Sequence, residues 1–319
     1  MSFKQIMGIS INHIFNRIRW ATAEKKRFFS ACCSNFKYDF PLLFNLNKTI
    51  IINSWIDIQR GEIKPRNFGD DLNYYLFSQI NDGFVRFFNC SFLSLFKRKN
   101  YLCIGSTIHH GNRHSIVWGA GCISHDGPIP ALKKVLAVRG PMTRELLIQK
   151  GINCPQIYGD PALLLPFFYK PNKKPNKNIG IVLNAADEFA FDYNRFDNNY
   201  SYISMTNYYK WEDVIDKITG CKLILSSSLH GLIIADAYNI PNLWVSVDNN
   251  KNVIGGFFKY LDYFSSVDRH QNKPIEINEI LESGIDKYLG LIEKPMIHIK
   301  PLLNSCPFKL QKQNDNIRL

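Results

Sequence analysis

The stretch ILSSSLHGLIIADAYNIP, residues 224–241, changes character in its middle. Its first residues are apolar and typical of a buried strand, whereas residues 229–239 combine apolar side chains with helical spacing. The single histidine of the stretch, His230, lies at the junction, between Leu229 and Gly231. The pattern predicts a strand that leads directly into a helix, with a titratable imidazole at the turn between them.

The same alternation of strands and helices extends on both sides of this stretch. Short apolar runs alternate with helical patterns, which is typical of parallel sheets covered by helices. The predicted strands are 49–56, 100–105, 115–121, 133–140, 179–185, 221–227 and 242–247. The predicted helices are 70–80, 141–151, 211–220 and 229–239. We therefore predict an α/β fold with parallel sheets.

A polar segment divides this pattern into two halves. Residues 169–178, YKPNKKPNKN, are rich in Pro, Asn and Lys and lack apolar periodicity, as expected of a linker. We predict two Rossmann-like domains that face each other across a central cleft, with the ligand at the carboxyl ends of the strands. The predicted parts are a basic leader at 1–45, an N-terminal domain at 46–168, the linker at 169–178, a C-terminal domain at 179–290 and a tail at 291–319.

The net charge of +12 favours anionic partners. Residues 1–37 concentrate this excess, and Ile11, Ile14, Phe15 and Ile18 recur there at helical spacing. We interpret the leader either as an amphipathic helix on an anionic membrane surface or as an ordinary helix docked on the protein. A nucleic-acid partner is not expected, because no recognisable binding module accompanies the charge.

The remaining features of the sequence favour a cytoplasmic protein. No apolar run reaches the roughly 18–20 residues of a membrane span, and the N-terminus lacks the pattern of a secretory signal. The eight cysteines include no C-x-x-C pair, so we expect reduced thiols rather than disulfides or a zinc site.

The position of His230 predicts a role in anion chemistry. Ser226, Ser227 and Ser228 leave the strand just before it. The start of a helix offers free backbone N–H groups and a positive dipole end to an anion. An imidazole at this place can protonate a substrate or stabilise a leaving group. The structural alternative is a histidine without a chemical role, whose ring nitrogens form hydrogen bonds with neighbouring backbone groups.

Five stretches of the sequence carry a resemblance to a known family. They are NFGDDLN (67–73), VRGPMTRELL (138–147), YGDPALLLP (158–166), SSSLHGLIIADAYNIP (226–241) and GGFFKYLDYF (255–264). In this order they resemble the signatures of the polysaccharide pyruvyl transferase family, over about residues 50 to 265. The resemblance implies the two-domain architecture of inverting glycosyltransferases, known as GT-B-like.

The resemblance also implies a reaction. Members of the family attach the enolpyruvyl carbon of phosphoenolpyruvate to sugar hydroxyls, commonly as a cyclic ketal, and release phosphate. Phosphoenolpyruvate is then the donor substrate, and neither a cofactor nor a metal is expected. We expect the acceptor to be a sugar of a bacterial-type surface polysaccharide, such as a capsule or exopolysaccharide, built on a lipid carrier. The protein would then work at the inner face of the cell membrane, as a peripheral protein.

Three residues are predicted to be catalytic. The family places an essential arginine at the position of Arg139, so we expect its guanidinium to anchor the donor. His230 is the expected acid, or the group that neutralises the departing phosphate. Asp70 is a candidate base for the acceptor hydroxyl, with helix capping as its structural alternative. The predicted substrate-binding residues are Asn67, Gly69, Gly105, Ser106, Arg144, Ser227, Ser228 and Lys259.

One position departs from the family pattern. Several relatives carry an arginine two residues before the matching histidine, whereas this chain has Ser228. We expect the second anion-binding group for the donor to be Arg144, Lys259 or the helix N-terminus; the alternatives are a different ketal geometry or a different donor. Two other functions fit the same sequence pattern: a nucleotide-sugar-dependent glycosyltransferase of GT-B architecture, and a non-catalytic scaffold in polysaccharide assembly.

Overall fold

The N-terminal half of the chain forms a five-stranded parallel sheet and a small hairpin. The computed structural model describes residues 23–172, 178–192, 199–247 and 254–308. The strands of this half are β1 (Thr49–Ile52), β2 (Ile58–Gln59), β3 (Glu62–Ile63), β4 (Phe84–Phe87), β5 (Asn100–Leu102), β6 (Ser115–Trp118) and β7 (Lys134–Ala137). The sheet has the order β4-β1-β5-β6-β7, and β2 pairs with β3 in an antiparallel hairpin.

The C-terminal half forms a second sheet of five parallel strands. These strands are β8 (Ile179–Val182), β9 (Tyr200–Tyr202), β10 (Leu223–Ser226), β11 (Asn242–Ser246) and β12 (Ile275–Glu276). They are arranged in the order β12-β11-β10-β8-β9. Every residue of β8, β10 and β11 is buried, as expected for central strands of a sheet that is covered on both faces.

Helices cover both sheets. They are α1 (23–39), α2 (Phe68–Ile80), α3 (Leu93–Phe96), α4 (Pro141–Gln149), α5 (Leu165–Phe168), α6 (Ala185–Ala190), α7 (Trp211–Gly220), α8 (Leu229–Ala237), α9 (Phe258–Ser266), α10 (Ile277–Ser283) and α11 (Ile299–Asn304). None of the described helices is long and apolar enough to cross a membrane.

The α/β fold with parallel sheets is confirmed, but several strands end earlier than predicted. The strand predicted at 49–56 ends at Ile52, and the one predicted at 100–105 ends at Leu102. Beyond Leu102 the backbone leaves the ladder, because the N–H of Ile104 donates to Asn73 Oδ1 in α2. The segment that follows β5 is therefore held by α2 at Ile104 rather than by a neighbouring strand.

Strand β4 lies outside the predicted strands. Val85 and Phe87 are buried, whereas Arg86 between them is only partly buried. The Nε of Arg86 donates to Oδ1 of Asp39, the last residue of α1, at 2.7 Å. A charged residue in so short a run removes the apolar signal on which strand prediction depends.

The two halves of the chain are packed against each other. Helix α2 contacts α5, α7 and α8, and one hydrophobic cluster contains residues of both halves. Residues of the predicted tail also return to the first sheet, since Trp118 Nε1 donates to the carbonyl of Leu302 in α11 at 3.1 Å. The division into two domains stays a prediction.

Parts of the predicted organisation lie outside the described residues. They are residues 1–22 of the leader, with its four apolar positions, residues 173–177 of the linker, residues 193–198 and 248–253 of the predicted C-terminal domain, and residues 309–319 of the tail.

Candidate functional site

The predicted residues of the cleft come together where strands of the two sheets end. His230 is the second residue of α8 and follows β10 after a short turn. Asp70 lies in the first turn of α2, and Gly105 follows β5. A Cβ atom added to Gly105 would lie 3.4 Å from Asp70 Oδ1 and 3.8 Å from His230 Cε1. The fold therefore brings these three residues, which are far apart in sequence, to one place.

Gly69 is the contact between α2 and the imidazole ring. A Cβ atom added to Gly69 would lie 2.0 Å from His230 Nδ1, far closer than non-bonded atoms approach. Only a residue without a side chain lets the ring lie against the backbone here. The absence of a side chain at Gly69 thus fixes the position of His230 relative to Asp70.

The other nitrogen of His230 faces a buried carboxylate. Nε2 lies 3.7 Å from Asp160 Oδ2. This nitrogen is buried and has no hydrogen-bond partner among the described residues. Asp160 is held in place, because Oδ1 accepts from the N–H of Ala162 at 2.9 Å and Oδ2 accepts from the N–H of Gly105 at 3.2 Å. The imidazole and the carboxylate therefore face each other without a direct hydrogen bond.

Asp70 has the properties of a base that works near neutral pH. Its Oδ2 accepts a hydrogen bond from Asn67 Nδ2 at 3.0 Å. Burial raises the pKa of Asp70 to about 6, and Asp71 adds to this, while His230 and Lys259 oppose it. A carboxyl group with such a pKa can accept a proton at physiological pH.

Lys259 is a partly buried cation in α9 beside this carboxylate. Burial and the nearby charge of Arg139 lower the pKa of Lys259 to about 8, although Asp70 and Asp187 act in the opposite direction. Its Nζ lies 5.2 Å from the centre of the Tyr260 ring. Within the described part of the chain it forms no ion pair. Lys259 is therefore available to an anionic ligand.

Arg139 belongs to a closed network instead. Its guanidinium is fully buried and donates from Nε to Asp262 Oδ2 at 2.9 Å, from Nη1 to Ser106 Oγ at 2.7 Å and from Nη2 to the Cys122 carbonyl at 2.7 Å. The Asp262 carboxylate also accepts from the N–H and the hydroxyl of Thr143. The network ties α9 to the end of β7, and its member next to the cleft is the partly exposed Ser106.

The remaining predicted residues differ in their surroundings. Ser227 donates from Oγ to Asp187 Oδ2 at 2.6 Å, at the start of α6. Ser228 precedes α8, and its side chain makes no capping hydrogen bond. Arg144 donates from Nε to the carbonyl of Cys154 at 3.1 Å; the described residues include no contact between Arg144 and His230.

A model of the polysaccharide pyruvyl transferase family matches residues 27–249. The chain belongs to this family. Membership indicates a transferase that acts in pyruvyl transfer to polysaccharide. Within the described residues, no group of His, Cys, Asp and Glu side chains is arranged to hold a metal ion.

Two similar proteins are themselves uncharacterised. Uncharacterized protein L143 of Acanthamoeba polyphaga mimivirus is 26% identical over 223 residues, which are 66% of this chain and 75% of that protein. The crystal structure of a functionally uncharacterised protein of Klebsiella pneumoniae covers 72% of this chain and 93% of its own chain. It is 12% identical, with a TM-score of 0.36.

Three aspartates of the site are absent from the predicted set. Asp160 lies in YGDP, a motif that indicates a tight turn, and its second oxygen faces His230 only because of the fold. Asp187 lies in the first turn of α6 and accepts a hydrogen bond from Ser227, in a segment without a recognisable signal. Asp262 lies in the family-like stretch GGFFKYLDYF, beyond the matched residues 27–249; its spacing of three residues from Lys259 was the available signal.

Proposed function

We propose that the protein transfers the pyruvyl group of phosphoenolpyruvate to hydroxyls of a saccharide, forming a pyruvate ketal and releasing phosphate. The observation that carries this proposal is the group formed by Asp70, His230 and Lys259 at the carboxyl ends of the strands. It offers a base, an acid and a cation without an ion pair among the described residues. A donor with a phosphate and a carboxylate on three carbons requires such a combination.

Lys259 binds one anionic group of the donor in this proposal. Burial disfavours the charged ammonium of Lys259. A bound anion would stabilise that charged form, so binding would raise the pKa of Lys259 again. Arg139 acts indirectly, because its guanidinium is covered by Asp262 and Ser106. Its Nη1 donates to Ser106 Oγ, which leaves the serine hydroxyl hydrogen to bind the donor. The start of α8 takes the place of the arginine expected at Ser228.

The chemical steps follow from the positions of the two proton-transfer groups. His230 donates a proton to the methylene carbon of the enolpyruvyl group, and the adjacent carbon becomes oxocarbenium-like. A sugar hydroxyl adds to that carbon and gives its proton to Asp70. The bond from carbon to the phosphate oxygen then breaks, and a second hydroxyl closes the ketal. Asp70 passes its proton to the departing phosphate, and the proton of the second hydroxyl returns to His230.

The acceptor and the setting are extensions of the same proposal. Two Rossmann-like domains in GT-B-like arrangement would enclose the donor on one side of the cleft and the acceptor on the other. We propose a lipid-linked saccharide at the cytoplasmic face of the membrane as acceptor, because the basic N-terminal segment suits an anionic surface.

Phosphate release tests the proposal. Purified protein is mixed with phosphoenolpyruvate and a panel of lipid-linked and aryl glycosides, and phosphate is measured together with the mass of the product. We expect phosphate and a product with one added pyruvyl ketal. His230→Ala should lower the rate by about 100-fold or more, while the control His125→Ala, at an exposed histidine, should not.

Thermal-shift measurements distinguish phosphoenolpyruvate from nucleotide sugars as the donor. Phosphoenolpyruvate should raise the Tm, because a ligand that binds only the folded state stabilises it. A shift produced by nucleotide sugars and not by phosphoenolpyruvate would contradict the proposal. An unchanged rate in His230→Ala would contradict the acid role alone.

A further inference from the structure

The surface of the N-terminal region carries a group of mostly exposed apolar side chains, six phenylalanines and one leucine, which we call the aromatic face. It consists of Phe29, Phe36, Phe40, Phe44, Phe92, Leu95 and Phe96. The relative exposure of Phe44 is 81%, that of Phe29 is 72% and that of Phe96 is 64%. Single exposed apolar residues are ordinary, but a contiguous patch marks an interaction surface.

The spacing along the chain explains why these side chains lie together. In α1 and the 3₁₀ helix Phe40–Asn45 that continues it, Cys32, Asn35, Asp39 and Leu42 are buried at intervals of three and four residues. The residues one position further on form a parallel stripe that faces outward, with Phe36 and Phe40 at its centre. The helix thus packs on the protein through a stripe that contains the polar Asn35 and Asp39, whereas the rings of Phe36 and Phe40 face outward.

Ring contacts make the face continuous. The ring centres of Phe36 and Phe40 are 5.4 Å apart, and those of Phe40 and Phe44 are 6.3 Å apart. Phe36 stacks on Phe92 at 5.2 Å, and Phe92 lies 6.2 Å from Phe96. The rings of α1 and α3 therefore form one surface.

Cations accompany the face, and acids are almost absent. Phe96 is followed by Lys97, Arg98 and Lys99; the ammonium of Lys97 donates to the Leu46 and Thr49 carbonyls, whereas Arg98 and Lys99 are exposed. The exposed residues Lys37 and Lys48 belong to the same segment as the helical stripe. The acids within 23–49 are Glu24 and the buried Asp39, which is paired with Arg86; residues 88–100 contain none.

We propose that the aromatic face docks on an anionic lipid bilayer. Aromatic rings insert at the level of the headgroups, and neighbouring Lys and Arg side chains are attracted by anionic lipids. A second copy of the chain fits less well, because a symmetric contact would bring the same cations face to face. This inference goes beyond the proposed transfer reaction, since none of these residues belongs to the candidate site.

A pocket adjoins the aromatic face, and one residue of its wall is linked by hydrogen bonds to Asp70. It has a volume of about 810 Å³, and its walls include Phe29 and Leu95 of the face together with Trp55 and Ser54. Ser54 Oγ accepts from Asn73 Nδ2, which also donates to the carbonyl of Asp70. Docking through the face would place this pocket at the lipid surface. Its use by a lipid-linked acceptor rests on the proposed function.

Vesicle sedimentation tests the docking. The full chain is mixed with phosphatidylcholine vesicles that contain about 30% phosphatidylserine, and with pure phosphatidylcholine vesicles. We expect binding to the anionic vesicles, weakened by added salt. The double variant Phe44→Asp/Phe96→Asp should bind about tenfold less or weaker still. The control Tyr209→Asp/Leu289→Asp changes two exposed apolar residues elsewhere and should bind like the unaltered chain.

Each result decides between occupants of the face. Equal sedimentation of the Phe44→Asp/Phe96→Asp variant and the unaltered chain would overturn the proposal, including the case in which residues 1–22 cover the face. A dimer that becomes a monomer in this variant, with unchanged vesicle binding, would assign the face to a second copy. The Tm shift by phosphoenolpyruvate is measured on the same samples. Its absence would count against the proposed function and leave the docking result standing.

Discussion

Arg139 and Lys259 are two cations of the same cleft with opposite surroundings. Arg139 is fully buried, and Asp262, Ser106 and the Cys122 carbonyl satisfy its guanidinium. Lys259 lies three residues from Asp262 in the same helix, yet forms no ion pair with a described residue.

The difference separates stability from function. A buried charge with a complete set of partners holds the fold together, and its removal leaves the partner uncompensated. A charge without a partner contributes little to folding, so its value is in what it binds. Substitutions test this distinction between the Arg139 network and the group of Asp70, His230 and Lys259, which we call the Lys259 cluster.

The largest effect is expected on stability, in the Arg139 network. Asp262→Ala leaves the guanidinium buried without its carboxylate and should lower the free energy of unfolding by about 3–5 kcal/mol, measured by chemical denaturation. Lys259→Ala should change it by less than about 1 kcal/mol, since no ion pair is lost. Asp126→Ala, at an exposed carboxylate, serves as the control. Equal losses in Asp262→Ala and Lys259→Ala would erase the distinction.

A smaller loss of stability with a clear loss of activity is expected in the Lys259 cluster. Gly69→Ala introduces a Cβ atom 2.0 Å from His230 Nδ1, so the imidazole must move away from Asp70. We expect about 1–3 kcal/mol of destabilisation and a fall in kcat/KM of about 100-fold. Gly290→Ala meets no atom within 4 Å and should change neither quantity. An active Gly69→Ala enzyme would show that the ring position does not matter.

The pH dependence of kcat/KM should report the ionisation of Asp70 and of Lys259. The pKa of Asp70 is raised to about 6 and that of Lys259 is lowered to about 8. Asp70 must be ionised to accept a proton, so kcat/KM should rise as pH increases through about 6. Lys259 must be protonated to bind the donor, so kcat/KM should fall as pH increases through about 8. A kcat/KM that neither rises from about pH 5 to 7 nor falls from about pH 7 to 9, each about one unit beyond the two pKa values, would contradict both assignments.

The smallest effect is a shift of the alkaline limb. Asp187 raises the pKa of Lys259, and Asp187→Asn keeps the shape of the side chain without its charge. The alkaline limb of the profile should therefore move to lower pH. A limb that stays in place would mean that it reports a group other than Lys259.

The sequence predicts the architecture of the site better than its contacts. Alternating strands and helices are local patterns, and the junction at His230 is read directly from them. The exact partners are not local: Gly69 meets His230 across the chain, and Asp160 faces the imidazole through an oxygen that a turn motif does not reveal. That Arg139 is enclosed by Asp262 depends on how α9 packs on α4, which no periodicity records.

The affinity for phosphoenolpyruvate tests the central claim most directly, namely that Lys259 is the open cation that binds the donor. Isothermal titration of the unaltered chain is compared with Lys259→Ala and with Lys287→Ala, because Lys287 lies over Tyr288 at 5.3 Å much as Lys259 lies over Tyr260. The account predicts a Kd about 100-fold higher in Lys259→Ala and unchanged in Lys287→Ala. An equal Kd in all three proteins would contradict it.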